Sequence, residues 1–284
     1  MTTIRTGMTA ALAGMLLALF ATDTFSQGIR AVRVTETNDD LLRPGAAFWK
    51  QAPAVTVAML PQNVALPRIQ AAAVKQLTVR AVHNSRNFAF LIEWLDPAQS
   101  DRIVTDNFGD QVAVQLPVKA APDAPASPMM GNPGGRVAIL QWRAAFQRDL
   151  EQGEPQVRDL YPYAHADVYP DQVLRAIDAR PYMGAVGLDN PISHPFLTPV
   201  LDQMAEGWGT MTVKPEQHAD GKGAWDKGRW RVVIAHPLAT GDANDPQLAP
   251  GAETVAAFAV WEGGAREVGS RKAWSNWVPL RLQK

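Results

Sequence analysis

The sequence predicts a mainly β protein, an antiparallel β-sandwich with short helical insertions. Three observations carry that prediction. Most apolar segments are only five to nine residues long and rich in β-branched or aromatic residues. Gly and Pro, 21 and 22 of the 284 residues, are spread along the chain between those segments, where they act as turn formers. Strand-like segments mostly follow one another without the intervening helices that a parallel βαβ sheet requires.

Taken in order, the chain opens with Arg5 and an uncharged apolar stretch from Met8 to Ala21, followed by small residues around Thr24-Phe25-Ser26. This reads as a secretory signal peptide over residues 1–26, shorter than the ~20 apolar residues of a membrane anchor. A single Arg without an Arg-Arg pair favours export of the unfolded chain. No later stretch approaches spanning length, so the mature chain, residues 27–284, is expected to be one β-sandwich domain without a membrane span, located in the periplasm. Strands are expected at Ala54–Leu60, Leu77–His83 and Asn87–Leu95, the last two joined by a hairpin loop at Asn84-Ser85-Arg86. Further strands are expected at Val112–Leu116, Val137–Trp142, Arg229–Ala235, Val255–Trp261 and Trp277–Leu282. Lys119 to Gly135 is too rich in Pro and Gly for regular structure. From about Ala144 to Glu206 runs an insertion with helical pieces at Asp171–Ala179 and Pro199–Glu206, the second stopped by Gly207.

Composition narrows the chemistry. With no cysteine, the chain cannot form disulfides, Cys-ligated zinc sites, iron–sulfur clusters, a Cys nucleophile or the thioether links of a c-type haem. A net charge of -1 and the lack of a Lys/Arg-rich run argue against a nucleic-acid partner. Nucleophile-elbow, zincin, P-loop and dinucleotide fingerprints are all missing. Gly221-Lys222-Gly223 starts a G-x-G pattern that Ala224-Trp225-Asp226 does not complete, and a turn between strands accounts for it. The five histidines, His83, His165, His194, His218 and His236, share no ligand spacing and read as structural or surface residues, with a zinc or copper site assembled from distant histidines as the alternative that no motif supports.

Three segments have a residue order unusual for plain turns. Met129-Met130-Gly131-Asn132-Pro133-Gly134-Gly135 leads into Arg136-Val137-Ala138-Ile139-Leu140-Gln141-Trp142-Arg143-Ala144, and glycines beside a methionine let its thioether approach a metal. The second is Ala205-Glu206-Gly207-Trp208-Gly209-Thr210-Met211-Thr212. The third begins Phe258-Ala259-Val260-Trp261-Glu262-Gly263 and continues through Arg271-Lys272-Ala273-Trp274-Ser275-Asn276-Trp277.

In this order, and with Ile92-Glu93-Trp94-Leu95-Asp96-Pro97 and the Gly223-Ala224-Trp225 to Trp230-Arg231-Val232-Val233 stretch, the segments resemble the haem b-binding γ subunits of periplasmic molybdenum enzymes of the dimethyl sulfoxide reductase family. Ethylbenzene dehydrogenase, dimethylsulfide dehydrogenase, selenate reductase and chlorate reductase have such subunits. The resemblance covers most of the mature chain. It implies a β-sandwich holding haem b between a methionine and a lysine, which fall on Met130 and Lys272. Met129 is the rival methionine, with Met183 and Met211 as more distant ones; Lys222 and Lys227 are rivals for the lysine. Trp142, Trp261, Trp274 and Trp277 are candidates to wall the porphyrin, and Arg143, Arg136 and Arg271 to pair with its propionates. A thioether ligand raises the reduction potential of haem iron, and a lysine ligates only as the neutral amine. The implied role is electron transfer, without catalysis of its own, between a molybdenum-cofactor catalytic subunit with its iron–sulfur subunit and a soluble periplasmic cytochrome or similar carrier. The alternative from a different class is a secreted β-sandwich module that binds carbohydrate or protein without haem, through exposed residues such as Trp208 or Trp225.

Overall fold

The structure is a computed structural model, and it describes residues 28–119, 126–155, 157–164 and 197–284. The proposed signal peptide, the Asp171–Ala179 helix, His165, His194 and Met183 lie outside the described residues. The first half of the chain supplies β1 (Ile29–Arg33), β2 (Val55–Ala58), β3 (Leu60–Pro61), β4 (Gln76–His83), β5 (Asn87–Leu95), β6 (Gln111–Pro117) and β7 (Val137–Arg143). The second half supplies β8 (Val200–Ala205), β9 (Thr212–Val213), β10 (Asp220–Trp225), β11 (Arg229–Pro237), β12 (Glu253–Trp261), β13 (Ala273–Trp274) and β14 (Val278–Leu282). Each of the eight expected strands overlaps one of these. Asn84 builds the expected hairpin between β4 and β5: its side-chain oxygen accepts from the amides of Arg86 and Asn87, and Ser85 takes a positive φ of 71°.

The strands run β10-β11-β5-β4-β1-β14-β12-β6-β7-β8-β9, and β12 belongs to both halves of the order. Its first part, Glu253 to Ala256, pairs with β14, and its second part, Ala257 to Trp261, pairs with β6. The chain thus turns from one layer to the other along a single strand. Phe90 on β5 meets Phe258 on β12 edge to face at 5.9 Å, and Trp142 on β7 meets Trp230 on β11 at 5.0 Å. These contacts close the interlayer core, which also takes Val112, Val114, Leu140, Val232 and Ile234. The outer face of the β5/β11 layer is covered by Phe48 and Trp49 of a 3-10 helix, Ala47–Gln51, and by Leu41 of α1 (Asn38–Leu41).

Three expectations are corrected. The sheet is mixed, because β1 pairs parallel with both β4 and β14; a pentapeptide such as Ile29–Arg33, IRAVR, carries no information on direction. Pro199–Glu206 is not helical: Val200–Ala205 is β8, hydrogen-bonded between β7 and β9. Six residues cannot sustain a helix against a sheet edge that satisfies their backbone, and Gly207, at φ 120°, turns β8 toward β9 instead of stopping a helix. Gly221-Lys222-Gly223 lies within β10 and is no turn. A Cβ on Gly223 would collide with the Trp142 ring, and one on Gly221 would stand 2.6 Å from the Val233 carbonyl oxygen, so the glycines let an edge strand close over a tryptophan. The insertion's described helices are α2 (Ala144–Gln152) and α3 (Val157–Leu160). No helix among the described residues is long and apolar enough to cross a membrane.

Candidate functional site

The outer face of the β12-β6-β7-β8 layer has an unusual surface. Side chains directly opposite one another on paired strands share a face, so the register defines its rows. Trp261, Gln111 and Arg143 form one row; Trp274, Ala259, Ala113, Gln141 and Leu201 the next; Ala257, Gln115, Ile139 and Gln203 a third. The middle of this platform is made of alanines, and amides run across it. Gln203 Nε2 donates to Gln141 Oε1 at 2.8 Å, Gln141 Nε2 to Gln111 Oε1 at 2.6 Å, and an Arg143 guanidinium nitrogen to Gln141 Oε1 at 3.1 Å. All four glutamines are buried. The alanines beside a fixed amide row leave room for a flat ligand against the sheet, bounded by Trp261 and Trp274.

Met130 packs against the apolar part of this face, formed by Ala113, Ala126, Val137, Ile139, Ala205 and Trp261. Its backbone is held in the left-handed region at φ 68°, an arrangement that costs a non-glycine residue roughly 1–3 kcal/mol and persists only where the surroundings enforce it. They do: the Met130 amide donates to Gln115 Oε1 at 3.2 Å, its carbonyl accepts from the Gly207 amide at 2.9 Å, and Gly131 donates to the Ser127 carbonyl at 2.9 Å. Gly131 is required beside it, since φ is 74° and a Cβ would stand 2.5 Å from the Gly135 carbonyl oxygen. Met129 is tied differently. Its carbonyl accepts from Trp208 Nε1 at 3.1 Å, and its side chain is not among those packed on the Trp261 cluster.

Lys272 reaches Trp261 of the same cluster. Its ammonium lies 5.0 Å from the Trp261 ring centroid, a cation–π contact. No carboxylate pairs with it among the described residues, and burial pushes its amine down from 10.5 to about 8. Trp261 is itself fixed by donating Nε1 to the Gly269 carbonyl at 2.9 Å, and Trp277, which donates to the Ala126 carbonyl at 2.7 Å, packs on the same cluster. Lys222 is instead exposed and paired with Glu151, and Lys227 is in the turn between β10 and β11 at φ 50°. Met211 is half exposed beyond β8.

Two guanidinium groups retain bonding capacity here. Arg143 Nε and Arg271 Nε are buried without hydrogen-bond partners, and burial pushes the Arg143 group down. The Arg143 guanidinium also lies 4.9 Å from the Phe146 ring. Arg136 is committed elsewhere, to Glu206 at 3.0 Å and to Asn244. Trp142 stands apart from the other candidates. It alternates onto the inner face of β7, is fully buried against Trp230, and donates Nε1 to Gln147 Oε1 at 3.0 Å. It therefore packs the interlayer core, with the thickness of the sheet between it and Met130. Trp225 and Trp208 spend their indole N–H groups on the carbonyls of Asp96 and Met129.

The donor set fits the haem b that the sequence motifs imply. A soft thioether and an amine with a lowered proton affinity converge on one aromatic cluster, and two half-buried arginines each keep a buried Nε free to donate to a carboxylate. Sequence reasoning missed the platform itself, whose alanines and glutamines are unremarkable until strand register places them side by side. The described residues also form an open groove of about 310 Å³ beside Trp142, Gln147 and Trp225, and one of about 650 Å³ between β2 and Trp277, at the edge of the cluster. Neither is lined by Met130 or Lys272.

Comparison with known proteins places the chain. The putative respiratory nitrate reductase heme subunit ORF7 of Haloferax mediterranei is 24% identical over 84% of this chain and 67% of its own length. The chlorate reductase subunit gamma of Ideonella dechloratans is 25% identical over 97% of this chain and 95% of its own. Among solved structures, a family 9 carbohydrate-binding module from Caldicellulosiruptor kristjanssonii, in complex with glucose, aligns over 90% of this chain and 95% of its own with a TM-score of 0.43 and 9% identity. The model of the family described as ethylbenzene dehydrogenase matches residues 46–189 and 197–273, a span that includes both Met130 and Lys272. The chain belongs to the ethylbenzene dehydrogenase family.

Proposed function

We propose that this chain is the haem b-carrying electron-transfer subunit of a periplasmic oxidoreductase, working with a molybdenum-cofactor catalytic subunit and an iron–sulfur subunit. The reading rests on one observation above all: Met130 and Lys272, 142 positions apart and drawn from two separate motifs, converge on the Trp261 cluster of one sheet face. The names of the relatives, a heme subunit and a gamma subunit of respiratory reductases, point the same way. When bound, the haem supplies a one-electron couple. The chain's own part is to fix Met130 through the strained loop, to keep Lys272 in a site that favours its neutral amine, and to offer Arg143 and Arg271 to the propionates. Without cysteine, retention of the group depends on those ligands and on packing alone. A soluble periplasmic cytochrome or similar carrier is the proposed partner on the other side, and residues 1–26 are the proposed export signal.

The test is spectroscopic. Chain purified from the periplasm is expected to carry one haem b, with a Soret band and a six-coordinate low-spin spectrum. Met130→Ala and Lys272→Ala should each convert it toward a high-spin form, whereas Met129→Ala should leave it unchanged. A colourless protein, or unchanged spectra in both ligand variants, would sink the proposal; a change in Met129→Ala alone would move the methionine ligand by one position.

A further inference from the structure

At the far end of the interlayer core, two inward-facing strand positions change character. The inner positions of β11 run Trp230, Val232, Ile234 and then His236, while on β8 Val200 is followed at the next inner position by Asp202. Both His236 and Asp202 are fully buried. His218, just before β10, joins them, and ligand atoms of Asp202, His218 and His236 all lie within 4.8 Å of one another. Asp245 adjoins the group, 3.1 Å from His218 Nδ1 and 3.4 Å from His236 Nε2.

Two buried atoms in this cluster make no hydrogen bond, although Asp245 stands 3.4 Å from one of them, His236 Nε2. Asp202 spends Oδ2 on the amides of His218 and Ala219, which leaves Oδ1 buried without a hydrogen bond. His236 Nδ1 is 2.7 Å from the Pro237 carbonyl oxygen, an acceptor, so Nδ1 carries the proton. In the neutral ring Nε2 is then a lone pair, and it too is buried without a hydrogen bond. A lone pair facing a carboxylate is unfavourable unless something positive stands between them. An imidazole held by Nδ1–H on a backbone carbonyl, with Nε2 turned toward carboxylates, is the arrangement by which proteins orient a histidine ligand.

Charge gives a second, independent argument. Asp202, Asp242 and Asp245 surround one buried ammonium, that of Lys214, which pairs with Asp245 and stands 3.4 Å from Asp242 and 4.0 Å from Asp202. Three carboxylates and two imidazoles thus meet around one ammonium in a largely buried site, and buried charge is normally paired or bound to metal. We propose that this cluster is a site for one divalent first-row cation of the zinc class, ligated by Asp202 Oδ1, His236 Nε2 and a ring nitrogen of His218, with Asp245 beside it. Two imidazoles select such a cation over calcium or magnesium, which prefer all-oxygen sites. Lys214 then serves as the counter-ion that holds Asp245 and Asp242 in place. The cation would clamp β8, β11 and the segment before β10 from the inner face of β8, opposite the face that carries the Met130 platform.

The proposal is independent of the haem reading and is tested on untagged full chain, stripped with EDTA and titrated with Zn2+ by calorimetry, then with Co2+ by absorption. One Zn2+ per chain is expected, with a rise in Tm on binding and Co2+ d–d bands typical of a four-coordinate nitrogen/oxygen site. His236→Gln and Asp202→Asn should weaken Zn2+ binding by at least tenfold. The partly exposed His218→Gln supplies the same test should the buried variants fold poorly. Met130→Ala and Lys272→Ala should retain full Zn2+ stoichiometry. Wild-type chain that takes up neither cation would overturn the site in favour of a cluster neutralised by Lys214 and protonated histidines. Equal Zn2+ affinity in wild type and His218→Gln would overturn the ligand assignment.

Discussion

Replacing Gly223 with alanine tests which face of β7 belongs to the core and which to the platform. The glycine's amide donates to Gln147 Oε1 at 2.6 Å, its carbonyl accepts from Gln147 Nε2 at 2.9 Å, and the same Gln147 Oε1 takes the Trp142 indole N–H. A Cβ there would run into the Trp142 ring, with Cη2 at 2.9 Å and Cε2 at 3.0 Å among its nearest atoms. Trp142 is fully buried and wedged against Trp230, so it has nowhere to swing, and β10 must lift instead, straining the Gln147 bonds. Overpacking of this kind costs ~1–3 kcal/mol, and a weakened hydrogen bond about 1 kcal/mol more. A loss of about 2–4 kcal/mol corresponds to a Tm fall of about 4–16 °C in a domain of this size. The assay pairs thermal or urea unfolding with the visible spectrum of the haem-loaded chain. Tm is expected to drop while the Soret position and haem content stay as in wild type, because Trp142 points away from Met130. A shifted Soret band with unchanged Tm would refute the face assignment and return Trp142 to the haem wall.

Two further outcomes follow. Gly131→Ala places a methyl against the Gly135 carbonyl oxygen in a left-handed backbone, so the Met130 loop must rearrange; haem retention should fall sharply while far-UV circular dichroism stays close to wild type, and full retention would argue against Met130 as ligand. In haem-free chain the folded Lys272 amine, at about 8, titrates below its ordinary 10.5. Between those values the unfolded chain binds more protons than the folded one, so stability should rise with pH from about 8 to 10.5, by no more than about 3 kcal/mol and less where solvent screens the group. Denaturation series of wild type and Lys272→Met across that window check it, and parallel pH profiles would show that Lys272 is not buried.

Much of this molecule was legible in the chain itself. The β-branched and aromatic residues of Leu77–His83, Asn87–Leu95 and Arg229–Ala235, in short runs bounded by turn residues, predict strands because such side chains fit a pleated, half-buried surface. Met130 and Lys272 stood out through the motifs around them, and the structure brings both to the Trp261 cluster. Direction and pairing were not legible: Ile29–Arg33 gains its parallel neighbours, and Val200–Ala205 its strand conformation, only from edges built by distant segments. Nor was sidedness, which placed Trp261 and Trp277 on the platform but Trp142 in the core.

By itself, then, the sequence determined composition-level chemistry, namely that no cysteine anchors a cofactor, and it determined the local periodicity of the strands and the residues available as ligands. Tertiary structure alone decided which of those residues meet. His218 and His236, scattered in the chain, have rings 6.2 Å apart beside Asp202, while Gln111, Gln141 and Gln203 become one hydrogen-bonded row. The physical reason is that local preferences act over a few residues, whereas a site is made by register between strands far apart in sequence, and register is settled only when whole faces are buried together.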